Sequence, residues 1–247
     1  QVKGEGSGVS FDEAQETFTA RYTHETVALA FAITEEAIED NLYDRLASRY
    51  TKALARSMSN AKQVKSVEPL INGLPTADAF DSGDGVSLFN TSHPTVSGTF
   101  ANTLATQADL NETSLEQSLI DIAAMSDERG LRIAARGVKM IIPSELQFTA
   151  ERLMKSQGRT STADNDINAI VSMGMIPQGY RVNNYLTDSD AFYILTDVPN
   201  GMKMFNRAPL TTAMEGDFDT GNVRYKARER YSFGVSDPRG IFGVEGA

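Results

Sequence analysis

The chain has 247 residues, with 23 Lys or Arg against 33 Asp or Glu, a net charge of −10. That balance repels nucleic-acid phosphate and anionic membrane surfaces at long range and disfavours a DNA-reading module. The absence of Cys excludes disulfides, thiolate catalysis and every Cys-based metal site, and no stretch has the roughly 20 apolar residues of a membrane span or the pattern of a secretory signal.

The length suits two modest domains or one large one. A compact monomer of 26.9 kDa is expected to expose about 11,000 Å². The chain opens at Gln1 in the Gly-rich stretch Lys3 to Gly8, which reads as a processed or trimmed start. With the polar turn Asp12-Glu-Ala-Gln-Glu16, that stretch suggests one leg of a hairpin. From Thr17 to Ile33 follows a long extended arm, with Phe18, Ala20 and Tyr22 on one face and Val27, Leu29, Phe31 and Ile33 on the other. The parity flips near His24 to Thr26, which predicts a sharp twist or a bulge there.

Thr34 is placed to cap a helix over 34–61, with Glu35, Glu36, Glu39 and Asp40 early and Lys52, Arg56 and Lys62 late, matching the helix dipole. Its apolar stripe is Ile38, Leu42, Leu46, Tyr50, Leu54 and Met58, and its length of about 42 Å spans the whole molecule. Residues 66–106 carry turn signals at Asn72-Gly73, Asp84-Gly85 and His93-Pro94 and read as short strands and exposed loops. Thr113 with Glu116 predicts a capping box for a second helix through Leu115, Leu119 and Ile122 that closes before Gly130. The run Val138 to Ile142 predicts a buried strand ended by Pro143, after which Ser144 with Gln147 opens a third helix containing Phe148, Leu153 and Met154. A polar loop over 157–166, short strands near 180–186, 192–195 and 202–206, a long strand over 223–231 and a turn at Asp237-Pro238 complete the chain. No repeat of fixed period is found.

Motifs for catalysis are missing: there is no G-x-S-x-G elbow, no phosphate-binding loop, no dinucleotide fingerprint and no H-E-x-x-H. Of the two histidines, His24 falls in the arm and His93 in a Ser-His-Pro turn, so both read as turn or interface residues, expected to lie far apart with neither in a hydrogen-bonded constellation with a Ser or carboxylate in a pocket. The cluster Asp81-Ser-Gly-Asp84-Gly85 lacks the ligand spacing of a calcium loop and reads as a turn. Asp164, Asp166, Asp217 and Asp219 read as solvated loop carboxylates, and Met173, Met175, Met202 and Met204 as core filling. No catalytic, cofactor-binding or metal residue and no cofactor is therefore assigned, and the chain is not read as an enzyme. One positive pattern is Arg224-Tyr-Lys-Ala-Arg-Glu-Arg230, in which strand period two puts Arg224, Lys226, Arg228 and Arg230 on one face. Three readings fit that row: a solvated face, a seam against an acidic neighbouring subunit, or contact with nucleic acid.

The order of parts resembles the major capsid proteins of tailed bacteriophages, which share the Hong Kong 97-type fold, an α+β architecture. The residues carrying the resemblance are Ala28-Leu-Ala-Phe-Ala-Ile-Thr-Glu-Glu-Ala-Ile-Glu-Asp-Asn41, Leu88-Phe-Asn-Thr-Ser-His-Pro94, Gly137-Val-Lys-Met-Ile-Ile-Pro-Ser-Glu-Leu146 and the ending Tyr231-Ser-Phe-Gly-Val-Ser-Asp-Pro-Arg-Gly-Ile-Phe242. The resemblance implies an extended loop over 1–33, a peripheral domain over 34–106 built on a spine helix, an axial domain over 107–206, and strands over 207–247 that return to the peripheral domain. It implies pentamers and hexamers of the chain closing an icosahedral shell around double-stranded DNA held without sequence-specific binding. Portal, scaffold and cement proteins would be further partners, with no membrane, assembly in the host cytoplasm and a final place in the virion. Residues expected at subunit contacts are Phe18, Tyr22, Val27, Leu29, Phe31, Arg224, Lys226, Arg228 and Arg230. Two other classes stand beside this one: an encapsulin-like nanocompartment shell and an unrecognised soluble hydrolase.

Overall fold

The computed structural model describes residues 18–40, 43–74, 82–159 and 166–247. In chain order its elements are β1 (Glu25–Ile33), α1 (Glu35–Glu39), α2 (Tyr43–Ile71), β2 (His93–Thr95), β3 (Gly98–Phe100), α3 (Glu112–Ala124), β4 (Gly137–Ile142), α4 (Gln147–Lys155), α5 (Ala169–Met173), β5 (Tyr180–Val182), β6 (Phe192–Thr196), β7 (Met202–Gly216), β8 (Val223–Val235) and β9 (Ile241–Val244). The expected hairpin over residues 1–16 and most of the expected loop over 157–166 lie outside the described residues.

Two sheets organise the chain. The four-stranded sheet has the order β5-β4-β6-β9, with β4 parallel to β5 and the other pairs antiparallel. Its strands are apolar at nearly every position because both faces are covered. Met140, Ile142, Phe192, Ile194, Phe242 and Val244 face a core that includes Leu115, Leu119 and Ile122 of α3. Tyr193, Leu195 and Ile241 face a second core, with Leu70 at the end of α2, Leu74, Leu88 and Phe89. Gly243 permits that packing, since a Cβ there would lie 2.6 Å from the Phe89 ring.

The three-stranded sheet has the order β1-β8-β7 and is antiparallel throughout. One face of β1 and β8 lies on α2, where Leu54, Met58 and Ala227 are buried with Val27 and Phe31 packed against them. Phe31 stacks on Tyr225 at 4.9 Å between ring centroids. Lys62 reaches from α2 to Glu229 at 3.0 Å and covers the Tyr231 ring. β7 is an edge strand whose register shifts between Asn206 and Thr211, around Pro209. Proline has no N–H to donate to a ladder and is tolerated at an edge or a bulge.

Several expected boundaries move. The long helix does not run over 34–61: α1 stops at Asp40, and α2 continues to Ile71 because Val67 and Leu70 extend its buried stripe past Met58. Thr34 has extended backbone but makes no side-chain cap bond. The box opening α3 is formed by Asn111 and Ser114, two residues before the expected pair: Asn111 Oδ1 accepts from Ser114 N at 2.9 Å and Ser114 Oγ from Asn111 N at 3.0 Å. α4 starts without a side-chain cap, the Ser144 hydroxyl turning to Glu145 instead. The change of parity near His24 is no bulge within a strand, since β1 begins only at Glu25.

Residues 82–104 are not a string of exposed loops. Leu88, Phe89, His93 and Asn102 are fully buried. His93-Pro94 is no turn but the start of β2, which pairs with β3. Met173 and Met204 are exposed and fill no core, whereas Met175 and Met202 pack against the two cores.

Candidate assembly surface

The alternation in β8 separates two chemistries. Arg224, Lys226, Arg228 and Arg230 are all exposed, while Ala227, Glu229 and Tyr231 between them are buried on the α2 side. Strand register then decides what flanks the cations. On β1 their partners are Ala32, Ala30, Ala28 and Thr26, and on β7 Arg224 meets Glu215, Lys226 meets Ala213 and Arg228 meets Thr211. The cations therefore rise as a ridge from a bed of mostly small side chains, on the sheet face away from α2. Arg224 is held by Asp217. Among the described residues Lys226, Arg228 and Arg230 have no ion-pair partner.

The other residues expected at contacts fall into different settings. Phe18 and Leu29 are 48% and 45% exposed. Val27 and Phe31 turn inward against the chain's own α2. Tyr22 packs edge-on against Phe205 with centroids 4.7 Å apart, and its hydroxyl lies 2.5 Å from Ser236 Oγ. Thus the chain itself covers Val27 and Phe31 and packs on Tyr22, while Phe18 and Leu29 keep exposed apolar surface. The structure unites β1 and β8 residues in one sheet but assigns the apolar ones and the cations to opposite faces.

Exposure exceeds that of a compact monomer. The whole chain exposes 15144 Å², about 4,000 Å² more than mass scaling gives. Leu210, Met214 and Phe218 in the β7–β8 hairpin contribute to it, Phe218 at 101%. The residues the sequence reading missed are the bed alanines and Phe218. Signals for both were present, in the alternation Ala28-Leu-Ala-Phe-Ala32 and in a lone aromatic between Asp217 and Asp219.

The histidines are bonded more closely than expected. His24 Nδ1 lies 3.1 Å from Ser232 Oγ. His93 Nδ1 lies 2.6 Å from Asp84 Oδ2, and its Nε2 is 2.9 Å from Asn102 Oδ1. Hydrogen bonds to a Ser and a carboxylate were not foreseen for these rings, though His93 makes its own in the buried interior and not in an open pocket; the bend through Gly83 and Gly85 carries Asp84 back over β2. Asn102 donates both Nδ2 protons to backbone carbonyls, of Leu88 at 2.7 Å and Pro238 at 3.1 Å, so its Oδ1 must accept from His93 and from Asn90 N. Burial pushes the Asp84 carboxyl up, but hydrogen bonds from His93 and Ser82 outweigh it and hold it below the ordinary carboxylate value. His93 also stacks on Phe100, whose ring lies 4.1 Å from the guanidinium of buried Arg239. With both ring nitrogens occupied and the ring fully buried, this constellation ties the 82–90 segment to β2, β3 and the C-terminal turn and presents no reactive atom to a substrate. Asp217 is likewise no simple solvated carboxylate, as it accepts from Thr220 at 2.7 Å. Among the described residues no group of three His, Asp or Glu is placed to hold a metal, and no helix is long and apolar enough to cross a membrane.

A family model described as phage capsid protein matches residues 16–244. No curated protein sequence matches the chain. Among solved structures, the capsid of Myoviridae phage XM1 aligns over 92% of this chain and 74% of its own, with TM-score 0.54 and 13% identity. The capsid of an empty GTA particle aligns over 98% and 81%, with TM-score 0.51 and 15% identity. The virus-like particle from Pyrococcus furiosus aligns over 90% and 76%, with TM-score 0.50 and 13% identity. At these identities the structural likeness speaks for the fold.

Proposed function

We propose, from the premise that the chain belongs to the phage capsid protein family, that it assembles into pentamers and hexamers that close an icosahedral shell around double-stranded DNA. A capsid protein is a structural component of the virion, and self-association is the activity it needs. The observation that carries the reading is the outward face of the β1-β8-β7 sheet, a ridge of Arg224, Lys226, Arg228 and Arg230 left open on a chain whose net charge is −10. An acidic protein has many carboxylates to offer such a ridge, so a second copy is its natural complement. Surface beyond the compact-monomer scale points the same way, because subunits of a shell hold area in reserve for neighbours.

In this reading α2 and β8 belong to the peripheral part, 34–106 with 207–247, and β4, β5 and β6 to the axial part, 107–206; β1 from the extended loop pairs with β8, β7 starts inside the axial span, and β9 of the returning segment joins the axial sheet. Residues 1–33 form the extended loop. Phe18 and Leu29 are its described residues with apolar surface left to give to a neighbour. Assembly in the host cytoplasm, and portal, scaffold and cement partners, belong to the same proposal.

Negative-stain imaging of the purified chain, with nuclease treatment before nucleic-acid extraction, tests it. Closed particles that protect double-stranded DNA in the phage context support the reading. Closed particles that hold protein cargo and no nucleic acid would make the chain a nanocompartment shell. A small soluble oligomer would remove shell formation altogether.

A further inference from the structure

Asn102 fixes the proton count on the buried His93 ring. Its Nδ2 faces the carbonyls of Leu88 at 2.7 Å and Pro238 at 3.1 Å, groups that can only accept, and its Oδ1 faces Asn90 N at 2.9 Å, a group that can only donate. The amide therefore has one possible orientation. Oδ1 also lies 2.9 Å from His93 Nε2 and can only accept there, so Nε2 carries a proton. A neutral ring with its proton on Nε2 has a bare lone pair on Nδ1. Nδ1, however, lies 2.6 Å from Asp84 Oδ2, a hydrogen-bonding distance that needs a second proton between the two atoms.

The surroundings place that second proton on the ring. Asp84 Oδ1 accepts from Ser82 Oγ at 2.8 Å and Val86 N at 3.4 Å, bonds that favour the ionised carboxylate. Despite burial, the Asp84 carboxyl is held below its ordinary value. The other charges near the pair cancel. Arg239 of the C-terminal turn, its guanidinium 4.1 Å from the Phe100 ring centroid, is held by Glu128 at 2.8 Å and Asp237 at 3.4 Å, and Lys203 of β7 lines the same pocket as Asp84. With these two cations facing two anions, the Asp84 charge, on a side chain 4% exposed, depends on the His93 ring for its counter-ion.

We infer that the folded chain locks a proton between His93 and Asp84 as a buried imidazolium–carboxylate pair, and that this pair is an alkaline-sensitive latch on residues 82–90. The inference is independent of the shell reading. Loss of the proton sets the Nδ1 lone pair against a carboxylate in the interior, two acceptors with nothing to share, and the bend through Asp84 then has to leave β2. The imidazole of an unfolded chain is mostly neutral above about pH 6.5, so folding in that range takes up one proton from solvent.

The full chain has two histidines, and His24→Gln leaves the His93 ring alone in a nitrogen NMR spectrum. At about pH 8, in solution for the subunit or under magic-angle spinning for particles, both His93 nitrogens are expected to be bonded to hydrogen. A bare Nδ1 overturns the inference, since the proton then sits on Asp84 or is missing. Stability is the second readout. Because the unfolded state holds fewer protons, the folding constant of His24→Gln should fall about tenfold per pH unit between about pH 7.5 and 9, and adding His93→Gln should abolish that fall. A flat profile in this range, or one equally steep without His93, overturns the latch. Should the variant lacking His93 fail to fold, the spectrum and the pH profile of the chain that keeps it still decide.

Discussion

Replacing Asn102 by Ala removes a side chain that is fully buried and makes four hydrogen bonds, to Leu88 O, Pro238 O, Asn90 N and His93 Nε2. Each buried partner left alone costs about 1 to 3 kcal/mol. Partial relaxation and water entry reduce the sum, so an overall loss of about 4 kcal/mol is the expectation. For a chain of this size that corresponds to a fall in Tm of about 8 to 16 °C. Urea or thermal unfolding of the unassembled subunit, followed by far-UV circular dichroism, reads the effect. Asn102→Asp is the second arm, since it swaps the amide donors for an oxygen that faces two carbonyls, and it is expected to be at least as damaging. A loss below about 1 kcal/mol in both variants would refute the idea that this amide joins residues 82–90, β2 and the C-terminal turn.

Because Asp84 is held below the ordinary carboxylate value, its contribution to stability is complete above the unfolded pKa of about 3.9 and is lost as pH falls through the folded value; the stability gap between the unsubstituted chain and Asp84→Asn should therefore close below about pH 4, and a constant gap in an acid titration would contradict it. Gly243→Ala puts a Cβ 2.6 Å from the Phe89 ring in a fully buried strand and should cost about 1 to 3 kcal/mol in denaturant unfolding, a neutral result showing that Phe89 has room to move. Arg228→Glu with Arg230→Glu should weaken assembled particles at low salt, and the deficit against the unsubstituted particle should shrink as the screening length drops from about 10 Å at 0.1 M towards 3 Å at 1 M; a salt-independent deficit in light scattering would argue against a charged seam.

How much was readable from the sequence depended on how local the signal was. The β8 ridge follows from period two within a few residues, the buried β4 strand from an apolar run ended by Pro143, and α3 from its apolar spacing, so each appears where the pattern puts it. The end of α2 was misplaced because the acidic start and basic middle suggested a finished helix, whereas Val67 is buried and Leu70 joins a core with Phe89 and Tyr193 only once the chain has folded. Pairing across long separations was not readable at all. No local pattern shows that Asn102 reaches Pro238, 136 residues away, or that Ala30 and Ala213 flank Lys226. The apolar arm residues were seen correctly as a set, but their cover was assigned to other copies, when for Val27 and Phe31 it is α2 of the same chain.

The most direct test of the central claim is a single-particle reconstruction of the assembled chain, resolved well enough to place side chains. The account predicts a closed shell of five- and six-membered rings in which Lys226, Arg228 and Arg230 are covered by acidic side chains of an adjoining copy. A closed shell with that sheet face open to solvent, or no closed particle at all, would contradict it.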